Sequence, residues 1–176
     1  SNSSMSPEYT HPACLSDDAL LAQCEMRRLR RSGPGGQHRN KVETAVQLFH
    51  GPTGVSAEAN ERRSQAANRG AALFRLRVNL ALGVRGPGPL ECYPSPLWRS
   101  RRRAGGRIVV SGDHADFPAL LAEALDVVAQ SGDDVQRAAG TLGCTPSQLV
   151  KLLKKEPRAL AEVNRRRESA GLHTLR

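Results

Sequence analysis

Aromatic residues are scarce in this sequence, since Phe, Tyr and Trp make up 3% of its 176 residues. Proteins that hold single-stranded nucleic acid by stacking need clusters of exposed aromatic rings. The sequence therefore argues against a base-stacking module. Contact with phosphates and with the shape of a folded RNA is a better match to this composition.

Metal-ligand spacing is missing as well. Cys14, Cys24, Cys92 and Cys144 are scattered with no Cys-x-x-Cys pair, and the five histidines are not spaced as ligands. Such a pattern indicates neither a zinc site nor a disulfide framework. We expect reduced cytosolic thiols, no metal site and no cofactor.

No apolar run approaches the ~20 residues that a membrane span requires. The N-terminal stretch SNSSMSPEYTHPACL has neither a charged region nor an apolar region of the kind found in secretory signals. We therefore expect a cytoplasmic protein with no membrane segment.

Positive charge is abundant. Twenty-six Lys and Arg residues against 17 Asp and Glu residues give a formal net charge of +9, and the sequence pI is near 10.2. A basic chain of this kind favours a polyanionic partner. Its hydrophobic content of 39% is enough for one ordinary domain or two small ones.

The first half of the sequence predicts a small antiparallel sheet covered by a long helix. An Asx cap precedes a short helix near Ser16 to Gln23, and the alternating CEMRRLRR segment predicts a first strand. The segments Thr44 to His50 and VSAEA, joined by the turn GPTG, predict a hairpin. From Arg62 to about Leu82 the sequence favours a helix, and its apolar stripe contains Leu73, Leu76 and Leu80.

The second half predicts a linker and then helices, so the expected fold class is α+β with an all-α extension. Residues 86–107 are rich in Pro, Gly and Arg, as linkers are. In the segment 108–176, Ala139, Gly143, Leu149 and Leu152 have the spacing of a helix-turn-helix. We expect a flexible tail over 1–13, a first domain over 14–85, the linker over 86–107 and a helical domain over 108–176. The short RIVV segment suggests a strand whose partner is not evident, and a last helix is predicted from Arg158 to Ala170.

The segment RSGPGGQHRN, from Arg31 to Asn40, combines glycines with a glutamine that cannot ionise. Gly35 and Gly36 can adopt backbone angles closed to other residues and let the chain approach a partner without a Cβ clash. Chemistry at Gln37 would have to rely on shape and hydrogen bonds rather than on acid–base transfer.

The surroundings of this loop give it a specific context. Asn40, TAV at Thr44 to Val46, PTGV at Pro52 to Val55 and ERRSQAANR at Glu61 to Arg69 follow Gly35-Gly36-Gln37 in order. Together they resemble the catalytic domain of class I peptide chain release factors over about Leu15 to Leu82.

The resemblance implies hydrolysis of the ester between a nascent peptide and transfer RNA, in the peptidyl transferase centre of the large ribosomal subunit. In that family the backbone N–H of the motif glutamine stabilises charge on the reacting centre, and a donor of this kind typically contributes ~10²–10³ in rate. The implied catalytic residues are Gly35, Gly36 and Gln37. We expect a monomer that contacts ribosomal RNA through a set of polar and basic residues: Arg28, Arg30, Arg31, Arg39, Asn40, Lys41, Arg62, Arg63, Gln65, Arg101, Arg102 and Arg103.

Some features depart from the family pattern. Arg39 stands where a small apolar residue is usual, and Ala66 where histidine is common. The sequence also has no segment long enough for a codon-reading domain, so it looks more like the codon-independent factors that rescue stalled ribosomes. An alternative is a non-catalytic regulator that binds nucleic acid or the ribosome through the helix-turn-helix. Its second helix, PSQLVKLLKKE, places only lysines outward.

Overall fold

A computed structural model describes residues 10–29, 44–88 and 90–176 of the chain. The chain forms two compact units, residues 12–84 and residues 85–176, and Thr10 and His11 belong to the second.

The first unit is built on a three-stranded antiparallel sheet. A 3₁₀ turn at Pro12–Cys14 leads into helix α1 (Asp17–Ala22), and the strands are β1 (Cys24–Arg28), β2 (Val46–His50) and β3 (Val55–Ala59). Their order in the sheet is β1-β2-β3. The predicted first strand and hairpin are confirmed.

Helix α2 (Gln65–Gly83) covers one face of β2 and β3. The period of 3.6 residues places Asn68, Ala72, Leu76 and Leu80 in one row, and all four are fully buried. Val46 and Leu48 occupy alternate positions of β2, so their side chains share one face of the sheet, and both are also fully buried. The α+β fold class is thereby confirmed, and the predicted stripe of leucines forms its core.

Of the tail predicted over 1–13, the structure describes residues 10–13, and the end of this stretch differs from the prediction. Ala13 is buried, and the guanidinium of Arg77 donates to its carbonyl oxygen at 3.1 Å. The residues just before α1 are therefore part of the first unit.

The segment predicted as a linker, 86–107, also differs. Its described part contains helix α3 (Pro96–Arg101) and a small hairpin of β4 (Arg102–Arg103) and β5 (Arg107–Ile108). Trp98 is fully buried, and its indole N–H donates to the carbonyl oxygen of Leu142 at 2.9 Å. This contact with a residue 44 positions away fixes the segment to the second unit, and the predicted strand RIVV finds its partner in β4.

The rest of the second unit is helical, as predicted. It consists of α4 (Phe117–Gln130), α5 (Val135–Leu142), α6 (Pro146–Lys154) and α7 (Pro157–Ser169). Helix α4 is buried along nearly its whole length, so it forms the centre of this unit.

Helices α5 and α6 form the predicted helix-turn-helix. Gly143 ends α5 with a left-handed φ of 68°, which glycine adopts at little cost. Ala139, Leu149 and Leu152 are buried at the contact between the helices. Over the described residues, no helix has both the length and the apolar character that crossing a membrane requires.

Candidate functional site

The predicted catalytic residues Gly35, Gly36 and Gln37 lie outside the described residues. The same holds for part of the predicted RNA-binding set: Arg30, Arg31, Arg39, Asn40 and Lys41. The structure does describe both flanks of this segment, Leu29 on one side and Thr44 on the other. The candidate site is therefore built from the flanks.

The two flanks are held side by side by the sheet. Arg28 at the end of β1 is paired with Val46 at the start of β2. One step further, the Leu29 N–H donates to the Ala45 carbonyl oxygen at 3.1 Å. The chain therefore leaves the sheet and returns to it at adjacent positions, and we call this pair of flanks the loop base.

Asn68 fastens the returning flank to the start of α2. Its side-chain amide donates to the Thr44 carbonyl oxygen at 2.7 Å and to the Thr44 hydroxyl at 3.0 Å. The same amide lies 3.2 Å from the Arg62 carbonyl oxygen, and the Asn68 Oδ1 accepts the Arg62 N–H at 2.9 Å. Asn68 is fully buried, so these bonds form away from water, where a lost partner is costly.

The Thr44 hydroxyl closes the network by donating to the Arg62 carbonyl oxygen at 3.0 Å. The chain at Thr44 and the chain at Arg62, 18 residues apart, are thus joined directly and through the Asn68 side chain. We call Asn68, Thr44 and Arg62 the asparagine clamp. Its position at the loop base means that the loop starts from a fixed frame.

Exposed cations surround this frame. The side chains of Arg28, Arg62 and Arg63 are exposed, while Gln65 is half-buried in the first turn of α2. Ser64 caps that helix by accepting the Ala67 N–H at 3.1 Å. Among the described residues, no carboxylate forms an ion pair with any of the three arginines, so their charges are available to a polyanion.

Two other arginines of this unit, Arg75 and Arg77, have carboxylate partners. Arg75 pairs with Glu61, and its guanidinium is the main reason why the pKa of that carboxyl falls to about 2. Arg77 pairs with Asp17 at 2.6 Å. The contrast separates arginines that hold the fold together from those that line the loop base.

Comparison with known proteins identifies this unit. Residues 21–85 match the RF-1 domain model, a span that contains the loop base, the asparagine clamp and the Gly35-Gly36-Gln37 segment between the flanks. The first unit contains an RF-1 domain. The resemblance seen in the sequence is therefore confirmed for the RF-1 domain.

Two curated relatives show how far the similarity extends. Peptide chain release factor PrfB1, chloroplastic, of Arabidopsis thaliana is 55% identical over 51 residues, which is 29% of this chain and 11% of that protein. Peptide chain release factor 1 of Xylella fastidiosa is 53% identical over 51 residues, covering 29% of this chain and 14% of that one. Each match thus spans less than a sixth of the relative.

The remaining predicted RNA-binding residues, Arg101, Arg102 and Arg103, lie in the second unit rather than in the RF-1 domain. The guanidinium of Arg101 pairs with Asp116 at 2.5 Å. That of Arg103 donates to the carbonyl oxygens of Ser100 and Arg102, both at 2.9 Å. Arg102 is exposed and free of carboxylate partners among the described residues. Their contacts with RNA stay predictions.

The sequence interpretation placed Asn68 in the family motif without assigning it a role. A usable signal was present, because Asn68 occupies the first position of a row that continues with Ala72, Leu76 and Leu80. A polar residue in the apolar row of a helix must find buried partners. The partners themselves, Thr44 and Arg62, could only be found from the structure of the RF-1 domain.

His50 is a second buried polar residue of the RF-1 domain. Its ring nitrogens contact the Thr53 hydroxyl and the Gln23 side-chain oxygen, both at 2.7 Å, and burial lowers its pKa. These contacts tie the β2–β3 turn to the start of β1, so the histidine has a structural role. Within residues 10–29, 44–88 and 90–176, no group of His, Cys, Asp or Glu side chains could hold a metal ion.

Proposed function

We propose that this protein releases nascent peptides by hydrolysing the peptidyl-tRNA ester in the peptidyl transferase centre of the large ribosomal subunit. The observation that carries the proposal is the RF-1 match over residues 21–85, with Gly35-Gly36-Gln37 inside the matched span. The asparagine clamp and the exposed arginines support it, since a loop that enters RNA needs a fixed base and cationic surroundings.

In this proposal Gln37 acts through its backbone N–H, which stabilises the negative charge that develops as water attacks the ester. Gly35 and Gly36 allow the backbone to approach the reacting atoms. The cations of the loop base, Arg28, Arg62 and Arg63, hold ribosomal RNA phosphates. The proposed partners are therefore large-subunit RNA and peptidyl-tRNA, met by a monomer in the compartment where translation takes place.

Replacing Gly36 with Ala tests the catalytic part. The change should nearly abolish peptide release and leave ribosome binding unchanged, because it restricts a backbone angle and removes no phosphate contact. Gln37→Ala should have a milder effect, since the backbone donor survives. Release by the Gly36→Ala variant at the parental rate would show that the loop is not the catalytic element.

The second part of the proposal is that release does not require a stop codon and serves to rescue stalled ribosomes. Its support is the unit over 85–176, which follows the RF-1 domain directly and lies outside the span matched by the family model. A hydrolytic loop without a gate would also cleave peptides on translating ribosomes. We therefore place the choice of substrate in this second unit.

A fragment that ends at Arg85 tests this placement. The first unit has its own core, in which Leu48, Leu76 and Leu80 are fully buried, so we expect the fragment to fold. It should lose most release activity on stalled ribosomes. Full activity with unchanged discrimination in a folded fragment would place selectivity inside the RF-1 domain.

The alternative function is a regulator that binds nucleic acid without catalysis. The observation that favours it is the helix-turn-helix itself, whose turn glycine and buried contacts are as predicted. The two functions separate in one assay, because a regulator would bind but would not accelerate peptide release.

A further inference from the structure

The small hairpin of the second unit packs against α6, the second helix of the helix-turn-helix. A Cβ on Gly106, whose φ is 71°, would lie 3.0 Å from the Thr145 backbone nitrogen at the start of α6. At the other end of α6, a Cβ on Gly112 would lie 3.6 Å from Lys155 Cβ. The chain from the hairpin to Gly112 therefore runs along one flank of α6.

Helix α6 turns its basic side to solvent. Leu149, Leu152 and Leu153 are buried on one side, while Lys151 and Lys154 are exposed on the other. Lys155 follows the helix and is exposed too. Because residues three and four apart share a face, the lysines form a continuous strip along the helix.

Arg102 lies beyond the other end of α6, beside the turn that precedes this helix. It lies on the same face of the hairpin as Ile108, its partner in the β4–β5 pair. Its guanidinium lies directly over Gly143, where an added Cβ would meet Arg102 Nη1 at 2.1 Å. We call Arg102, Lys151, Lys154 and Lys155 the cationic strip.

An open groove borders the strip on the α7 side of α6. Its volume is about 630 Å³, and its charged lining consists of Lys151, Lys154, Arg167, Arg176 and a single carboxylate, Asp134. The groove thus continues the positive surface, and a polyanion lying on the strip could extend into it.

The charges of the strip differ from those of five arginines in this unit. Five arginines have carboxylate partners: Arg85 with Asp126, Arg101 with Asp116, Arg158 with Glu156, Arg165 with Glu162 and Arg166 with Asp133. In the described part of the chain, no carboxylate pairs with any member of the cationic strip. These four exposed cations are therefore available to a polyanion from outside the chain.

We propose that the cationic strip binds the phosphate backbone of double-stranded RNA without reading its sequence. The exposed face of α6 presents Ser147 and lysines, and Gln148 is half-buried, so that face has no exposed Arg, Asn or Gln to make bidentate contacts with base edges. No Phe, Tyr or Trp is exposed among the described residues of 85–176, so bases of a single strand have no ring to stack on. What remains is a phosphate-binding surface.

The choice of RNA over DNA rests on the proposed function, since ribosomal RNA is the polyanion that the protein would meet. The surface would then hold the second unit on an RNA helix of the ribosome while the RF-1 domain places its loop. Binding of isolated duplexes tests the surface without requiring that release be correct.

The test measures the affinity of the full-length protein for a 20-base-pair RNA duplex, in the absence of ribosomes, over a series of salt concentrations. One variant carries Lys151→Gln with Lys154→Gln, and another carries Arg102→Gln with Lys155→Gln. The control carries Arg158→Gln with Arg165→Gln, which removes the same number of charges from exposed, carboxylate-paired positions. Fluorescence of the only tryptophan, Trp98, checks that the second unit stays folded in each protein.

Each strip variant should bind the RNA duplex at least tenfold more weakly than the parent at low salt. The slope of log affinity against log salt should become shallower by about 2, since each lost phosphate contact accounts for ~0.9. The control should stay within about twofold of the parent. Equal losses in control and strip variants, or an unchanged slope, would overturn the proposal.

The nucleic acid itself supplies the remaining comparison. Tighter binding to a DNA duplex or to single-stranded RNA than to the RNA duplex would also overturn the proposal. If the strip variants fail on the duplex but the parent shows no ribosomal release, the strip stands and the proposed function falls. If release is normal but the strip variants bind the RNA duplex as tightly as the parent, only the strip proposal falls.

Discussion

Asn68 offers the sharpest test of the asparagine clamp. Truncating it to Ala removes the donor to the Thr44 carbonyl oxygen at 2.7 Å and the acceptor of the Arg62 N–H at 2.9 Å. Each group left unpaired away from water costs about 1–3 kcal/mol. We therefore expect Asn68→Ala to lower the free energy of unfolding of the RF-1 domain by about 2–4 kcal/mol.

Asn68→Asp is a more selective perturbation, because it keeps the shape and the acceptor for the Arg62 N–H. Its second oxygen replaces a donor and faces the Thr44 and Arg62 carbonyl oxygens, which the amide now contacts at 2.7 and 3.2 Å. Opposed acceptors should make this variant less stable than Asn68→Ala near neutral pH.

The aspartate variant should also regain stability as the pH falls. A protonated carboxyl restores a donor, so its pKa in the folded state should lie above the ordinary value of ~3.9. Stability is then fully present below the ordinary pKa and is lost as the pH rises through the raised one.

The control for both variants is Asn79→Ala. Asn79 lies on the same helix, is half-buried and donates to the Ser56 carbonyl oxygen at 2.9 Å, away from the loop base. Urea unfolding gives the stabilities, and single-turnover peptide release gives the activity. The clamp variants should lose release beyond what the Asn79 control loses at matched folded fraction. Parental stability and release in Asn68→Asp at neutral pH would refute the clamp.

Three further predictions concern the second unit. Trp98→Ala should lower the free energy of unfolding of this unit by about 3–5 kcal/mol, because the ring is fully buried and its N–H donates to the Leu142 carbonyl oxygen. A marginal shift of the melting temperature, followed by circular dichroism, would indicate that this segment is a linker after all. Gly106→Ala should destabilise the unit more than Gly132→Ala, since both have left-handed φ but only the Gly106 Cβ would meet backbone; equal midpoints in urea would contradict the close approach. Burial raises the pKa of Glu123, so its contribution to the stability of the unit should be fully present below the ordinary carboxyl pKa and be lost as the pH rises through the raised one; an identical pH profile in Glu123→Gln would exclude Glu123 as the source.

Local patterns in the sequence were enough to predict most of the RF-1 domain and the helical core of the second unit. The β-branched and apolar residues of Thr44 to His50 predicted β2, whose Val46 and Leu48 are buried. The spacing of Gly143 and Leu149 predicted the helix-turn-helix. These signals are local because strand and helix periods are set by backbone geometry within a few residues.

The fold of segment 86–107 could not be read in this way. Its Pro and Gly content is typical of a linker, and only long-range contacts reveal its packing. Glu123 accepts the Ser95 N–H at 2.8 Å, and Trp98 reaches Leu142. Partners 28 and 44 residues away leave no periodic trace in the segment itself.

The asparagine clamp was hidden for a related reason. The position of Asn68 in an apolar row signals a need for partners, but several backbone groups could have met it. The pairing of β1 with β2 brings Thr44 to the clamp, because it fixes where the chain returns to the sheet.

Peptide release on defined ribosomal complexes tests the central claim most directly. Ribosomes would carry a labelled peptidyl-tRNA on a message truncated at the P site, or on a message with a stop codon in the A site. The account predicts rapid release by the parent protein on the truncated message, almost none by Gly36→Ala, and no acceleration by the stop codon. Release that requires the stop codon would contradict the rescue function, and the absence of release from both complexes would contradict the hydrolytic function.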